Sequence, residues 1–192
     1  EKQYYLSLFL QIHSPNAIFA AEMTRNLHTI LSGHIGGNDV LLLSFSSDRE
    51  ELFSYLYDED KRTSDNAAWV MTHLPSDDDE WLTDKQHELI DLAMRTESIT
   101  MRRLTMTILL RTQFKSDDVR TDFLDFCLDM MMRPDQPNGV RSVAMKLAYL
   151  QCRPFPELLA ELRQTLDIME TEFLSPALRT TKRNILKEIK SR

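Results

Sequence analysis

The chain has 192 residues, a formal net charge of −7, 42% hydrophobic and 28% charged residues. That balance excludes a disordered chain and a membrane-embedded one, and it suits a single domain able to bury a continuous core. With only four glycines, tight hairpins and phosphate-cradling loops lack their usual material, so helices are favoured.

Residues 4–12 form an apolar run that fits helix or strand by pattern. The run has no basic flank, and no small-residue cleavage site follows it, so it is not a signal peptide. Like the runs at 40–45 and 104–110, it is shorter than the roughly 20 apolar residues that span a bilayer. The chain opens on Glu1 rather than Met. Ser14-Pro15 is a helix start, and Ile18, Phe19, Met23, Leu27 and Ile30 keep helical spacing to about Ser32. Gly33, Gly36 and Gly37 break that helix, a glycine just past the end being the usual stop. Residues 40–45 are ambiguous alone, 48–57 read better as helix, and 58–62 are a polar connection.

From there the chain repeats itself. Segments 64–74, 98–109, 137–148 and 175–186 each open a helix. They overlay on Ala68, Arg102, Arg141 and Arg179, which lie 34, 39 and 38 residues apart. Six residues after these anchors stand Leu74, Ile108, Leu147 and Ile185; two after them stand Val70, Leu104, Val143 and, out of pattern, Thr181. Ser98, Pro137 and Ser175 precede their anchors by four residues and have the chemistry of helix N-termini. Longer helices over 79–95, 117–132 and 156–174 lie between, joined by short polar links. Helix–turn–helix units at a period of about 34–40 residues belong to stacked α-repeats.

In the 117–132 helix, Val119, Phe123, Phe126, Cys127, Met130 and Met131 cover one side, and Leu124 and Leu128 widen the apolar arc. Asp118, Asp122, Asp125 and Asp129 take the remaining stripe. An ordinary surface helix buries a stripe of about 100°. A wider arc is what a helix needs if it touches both its own partner and the neighbouring pair.

Residues from roughly 48 to 190 resemble HEAT or armadillo-type repeats, most of all the small bacterial HEAT-like proteins related in fold to DNA alkylation-repair glycosylases. Within that group, the step Asn66-Ala67-Ala68-Trp69 and the closing basic helix Lys182-Arg183-Asn184-Ile185-Leu186-Lys187-Glu188-Ile189 are similar to those of an uncharacterised bacterial family. The resemblance implies an all-α fold, an α-solenoid (α-α superhelix) of about four to five HEAT-like helical pairs. One domain over 1–192 is expected, with HEAT-like repeats over 48–192 and N-terminal helices over 1–47, a stretch outside the resemblance. That family has no settled activity, so the likeness informs fold more than function.

Side chains for chemistry are scarce. The aspartate row points outward in parallel and reads as a solvated face, not a cation site. Asp77-Asp78-Asp79-Glu80 meets the positive end of a helix dipole, and residues 58–60 lack the glycine and closing glutamate of a calcium loop. His13, His28, His34, His73 and His87 show no metal-type pairing. Cys127 and Cys152 also lack it, and read as buried residues of a reduced, cytoplasmic protein. No serine elbow, Walker loop or dinucleotide fingerprint occurs. No catalytic residue, metal or cofactor is therefore expected. Trp69 beside Asp65 invites comparison with the aromatic-and-aspartate cleft of the alkylation-repair relatives, but the full catalytic set is not matched, and Trp69 reads as a core anchor.

Basic residues are the feature that could carry binding. Residues 1–92 hold six Lys/Arg against seventeen Asp/Glu, whereas 93–192 hold seventeen against thirteen. The second helix of each pair carries Arg102, Arg103 and Arg111, then Arg141 and Lys146, then Arg179, Lys182, Arg183, Lys187 and Lys190. In HEAT-like stacks these helices line the concave face, which is the binding surface. The expected site is Arg102, Arg103, Arg141, Lys146, Arg179, Lys182 and Arg183; the competing reading has them pairing with aspartates or capping carbonyls. The expected function is a non-catalytic scaffold for a protein partner. The alternative is a nucleic-acid-binding protein, or a divergent alkylation-repair-like glycosylase, using a basic C-terminal trough. No membrane partner is expected.

Overall fold

The computed structural model describes residues 27–191. The expected element at 4–12 and most of the helix over 15–32 lie outside the described residues. Every regular element among those described is helical. The chain divides into two compact units, one ending at Asp78 and the other beginning at Asp79.

In the first unit, α1 (Leu27–Leu31) closes on Gly33, whose N–H donates to the Ile30 carbonyl at 3.1 Å. No described residue, glycine included, has positive φ, so this helix stops without the left-handed turn a glycine usually supplies. The ambiguous run at 40–45 is helical, within α2 (Gly37–Ser46). Asp39 decides the matter locally, its carboxylate accepting from the Gly36 N–H at 2.8 Å. Helix α3 (Arg49–Ser54) is capped by Asp48 and runs into a 3-10 turn at Tyr55–Tyr57. Helix α4 (Lys61–Met71) starts earlier than expected. Asp60 caps it, accepting from the Thr63 N–H and hydroxyl at 2.9 and 2.7 Å, so Ser64 is an interior residue and not an N-terminus. Helix α4 packs against α1, α2 and α3 through Ala67, Ala68, Val70 and Met71, each wholly buried. Trp69 is only half-buried, which corrects its reading as a core anchor.

The second unit holds α5 (Asp79–Asp84), α6 (Gln86–Arg95), α7 (Ile99–Leu109), α8 (Thr121–Met132), α9 (Asn138–Cys152), α10 (Pro156–Ile168) and α11 (Pro176–Lys190). Short turns fold α6 on α7, α8 on α9 and α10 on α11, and the second helices α7, α9 and α11 lie side by side. Met106, Leu109, Phe123, Met131, Met145 and Leu147 are wholly buried where these pairs meet. Ser98 and Ser175 cap α7 and α11 as expected, accepting from the N–H groups of Met101 and Leu178.

Three expected helices are shorter than their patterns. The 79–95 helix breaks at Lys85. Spacing gives no warning, because Leu82 and Leu89 are a heptad apart and stay on one face. The 117–132 helix begins at Thr121, since Asp118 is held by His87 at 2.9 Å and Arg120 by Asp91 at 2.9 Å. Asp118 therefore leaves the aspartate row, and Val119 is exposed rather than buried. The 156–174 helix ends at Ile168, where the chain turns extended at Met169.

Candidate functional site

The contacts between second helices fix how each one is turned. The Arg103 side chain of α7 crosses Gly139 of α9, so that a Cβ built there would meet its Cδ at 3.2 Å. The Ser142 hydroxyl of α9 lies 2.8 Å from that of Thr181 on α11. The helices are thus parallel and nearly in step. In α7 and α9 alike, the fifth residue after the N-cap meets the next helix.

Against that register the seven candidate cations separate into three groups. Arg102, Arg141 and Lys182 turn inward and bind carbonyls at the end of the preceding helix. Arg102 donates from Nε to Ala93 at 3.2 Å and from Nη2 to Thr96, with its guanidinium 5.9 Å over the Phe126 ring. Arg141 is 8% exposed and donates from Nε to the Met131 carbonyl at 3.1 Å. Lys182, also 8% exposed, donates from Nζ to the Met169 carbonyl at 2.7 Å and to Thr171 Oγ1 at 3.2 Å. A helix leaves its last carbonyls without partners, and a buried cation there satisfies them while opposing the negative end of the dipole. These three positions therefore fasten the two helices of a pair together, with their charged heads committed to those carbonyls.

The second group, Arg103 and Lys146, is exposed on the outward side of the α7–α9 layer. The third, Arg179 and Arg183, is exposed on the flank of α11 away from α9. No described residue pairs with the side chains of any of these four. The structure does not gather all seven into one trough.

Two working groups were not among the expected site residues. Asn66 does in the first unit what the cations do later, donating from Nδ2 to the Leu31 and Gly33 carbonyls at 2.7 and 3.1 Å. Its amide carries no charge, so an inspection of basic residues passes over it. The other group joins His87 and Asp91 on α6 to Asp118 and Arg120 ahead of α8. The hydrogen bonds Arg120 donates to Asp122 and then to Asp91 hold its guanidinium charged, and Arg120 lowers the Asp122 carboxyl below its ordinary range. Arg111 likewise binds Asp79, from Nε at 2.8 Å.

Cys127 and Cys152 are buried, as expected, and burial raises both thiols, Cys152 to about 11. Among the described residues no three His, Cys, Asp or Glu side chains gather as a metal site. No helix among them is long and apolar enough to cross a membrane. An open groove of about 590 Å³ lies between α10 and the end of α11, lined by Arg153, Leu159, Arg163 and Ile189 among others. It includes none of the seven candidates.

Helical pairs fastened at their turns, with second helices laid side by side, define an α-solenoid repeat protein. The model of the HEAT repeat domain matches residues 35–189, and the chain belongs to that family. No curated protein and no solved structure matches it. HEAT repeats commonly mediate protein interactions, and the chain is a repeat scaffold by its fold.

Proposed function

We propose that the outward side of the α7–α9–α11 layer is the docking face of a non-catalytic scaffold, the concave face of the repeat stack, and that its ligand is a protein. One observation carries the reading. Arg103, Ser142, Lys146, Thr180 and Asn184 fall on the same side of three parallel helices, partly or fully exposed. Such a surface is polar and adaptable, with Arg103 and Lys146 free to meet carboxylates at a rim. Binding there needs no cofactor, and the two buried thiols fit a cytoplasmic setting.

The test places a photoreactive side chain at Asn184 and recovers what crosslinks. Rebinding of the purified partner should weaken about tenfold with Arg103→Glu/Lys146→Glu. It should be unaffected by Arg163→Glu, which lies on α10. Equal binding by all three proteins would overturn the reading.

The exposed cations Arg103, Lys146, Arg179, Arg183, Lys187 and Lys190, unpaired among the described residues, favour a second reading, nucleic-acid binding. It requires a duplex affinity that falls steeply with salt. A glycosylase related to the alkylation-repair enzymes is the catalytic form of this reading. Its support is Asp65 one turn before Trp69 on α4, with Asp65 Oδ1 buried and without a hydrogen bond among the described residues. Release of methylated base from alkylated duplex tests it, with Asp65→Asn as the control.

A further inference from the structure

The flank of α11 facing away from α9 is where this fold seats its next helices. In α9, the residues eight, eleven and fifteen places after the N-cap are Met145, Ala148 and Cys152, and all three are buried at 2% exposure or less. In α7, the eighth and eleventh are Met106 and Leu109, both wholly buried. The same places in α11 hold Arg183, Leu186 and Lys190. Arg179 and Lys187 stand four places to either side of Arg183, giving four exposed cations in one row about 16 Å long. None of the four has a partner among the described residues, and Leu186 beside them is half-exposed. The helix's single carboxylate, Glu188, lies off the row.

We propose that this flank binds an acidic amphipathic helix of a partner protein, added to the side of α11 as α9 is to α7 and α11 to α9. Two observations choose that occupant. The register makes the flank a seat for a helix lying alongside, which matches a row of charges spaced about 5–6 Å along the axis. The row itself calls for carboxylates at the same intervals, with an apolar residue between them for Leu186. Such a contact leaves the charges partly wet. It is therefore modest in strength, dependent on salt, and selective by sign. The surface is separate from that of Arg103 and Lys146, and the proposal goes beyond the docking face above.

The probe is a synthetic helical peptide with Glu at four positions spaced 4, 4 and 3 apart and Leu between them. It is titrated by fluorescence anisotropy into the full chain at low salt. Binding is expected, weakened about tenfold by Arg183→Glu/Lys187→Glu and recovered with a peptide carrying Lys at the two facing positions. Arg103→Glu/Lys146→Glu should leave it within about twofold, which separates failure here from failure of the docking face. Equal affinity of the flank variant for the Glu peptide would overturn the proposal. Displacement of the peptide by a DNA duplex at lower concentration would also overturn it, assigning the row to phosphates. So would self-association in sedimentation that the flank variant abolishes, which would make the occupant a second copy.

Discussion

Replacing Arg141 tests whether the cation of the second helix is a structural fastener. Its Nε donates to the Met131 carbonyl at 3.1 Å, and the side chain is 8% exposed, so little water can replace it. A hydrogen bond from a charged donor is worth about 1.5–3 kcal/mol, and an acceptor left buried carries its desolvation cost. Arg141→Met keeps most of the aliphatic stem and removes only the head, so the expected loss is about 2 kcal/mol. With a urea m-value of about 2 kcal/mol/M, the midpoint should fall by about 1 M with the slope unchanged. Lys146→Met on the same helix is exposed and should stay within about 0.5 kcal/mol of the parent. Equal midpoints for the two variants would refute the reasoning. Arg141 would then be one more surface cation, and the docking face would have to include it.

Gly139→Ala should stabilise the protein by about 0.5 kcal/mol, because the new methyl meets only the flexible Arg103 stem and φ is not positive; a fall in Tm would contradict this. Neither Cys127 nor Cys152 should react with a disulfide reagent at pH 8 in the native protein, since burial raises both thiols, and both should react once guanidinium unfolds the chain. A thiol that reacts within seconds in the native state would contradict their placement. For Asp122, the Arg120 hydrogen bond lowers the folded pKa, so its contribution is full above the unfolded value of about 3.9 and disappears as pH falls through the folded one. The stability difference between the parent and Asp122→Asn should thus be constant from pH 7 to pH 5 and shrink below about pH 4. A difference that persists to pH 2 would break the assignment.

The repeat was legible because it rests on local chemistry. Ser98 and Ser175 are caps, and the buried Ile108, Leu147 and Ile185 recur at one register. The first overlay was displaced by a turn, however. Ala68 stands eight residues after its N-cap and Arg102, Arg141 and Arg179 four after theirs, because Asp60 starts α4 earlier than Ser64 suggested. Helix ends misread elsewhere were set by distant partners: His87 and Asp91 pull residues 118–120 out of α8, and no spacing within that segment records it. The candidate site suffered from the same blindness. Arginine in a helix has one composition whether it faces solvent or a carbonyl, and only the register sorts Arg103 from Arg102. Lys182 and Asn66 show that neither the residue type nor its place in the repeat is fixed, so long as a donor reaches the carbonyls.

The two seams between neighbouring pairs in the second unit are made of different materials. Between α6 and α8 run the contacts of Arg120 with Asp91 and of His87 with Asp118, whose carboxylates are 39% and 55% exposed. Between α9 and α11 the polar contact is a pair of hydroxyls, from Ser142 and Thr181. Dissolved ions screen the first and leave the second alone. Added salt should soften one joint while its neighbour keeps its stiffness, giving the layer of the second unit a place to bend.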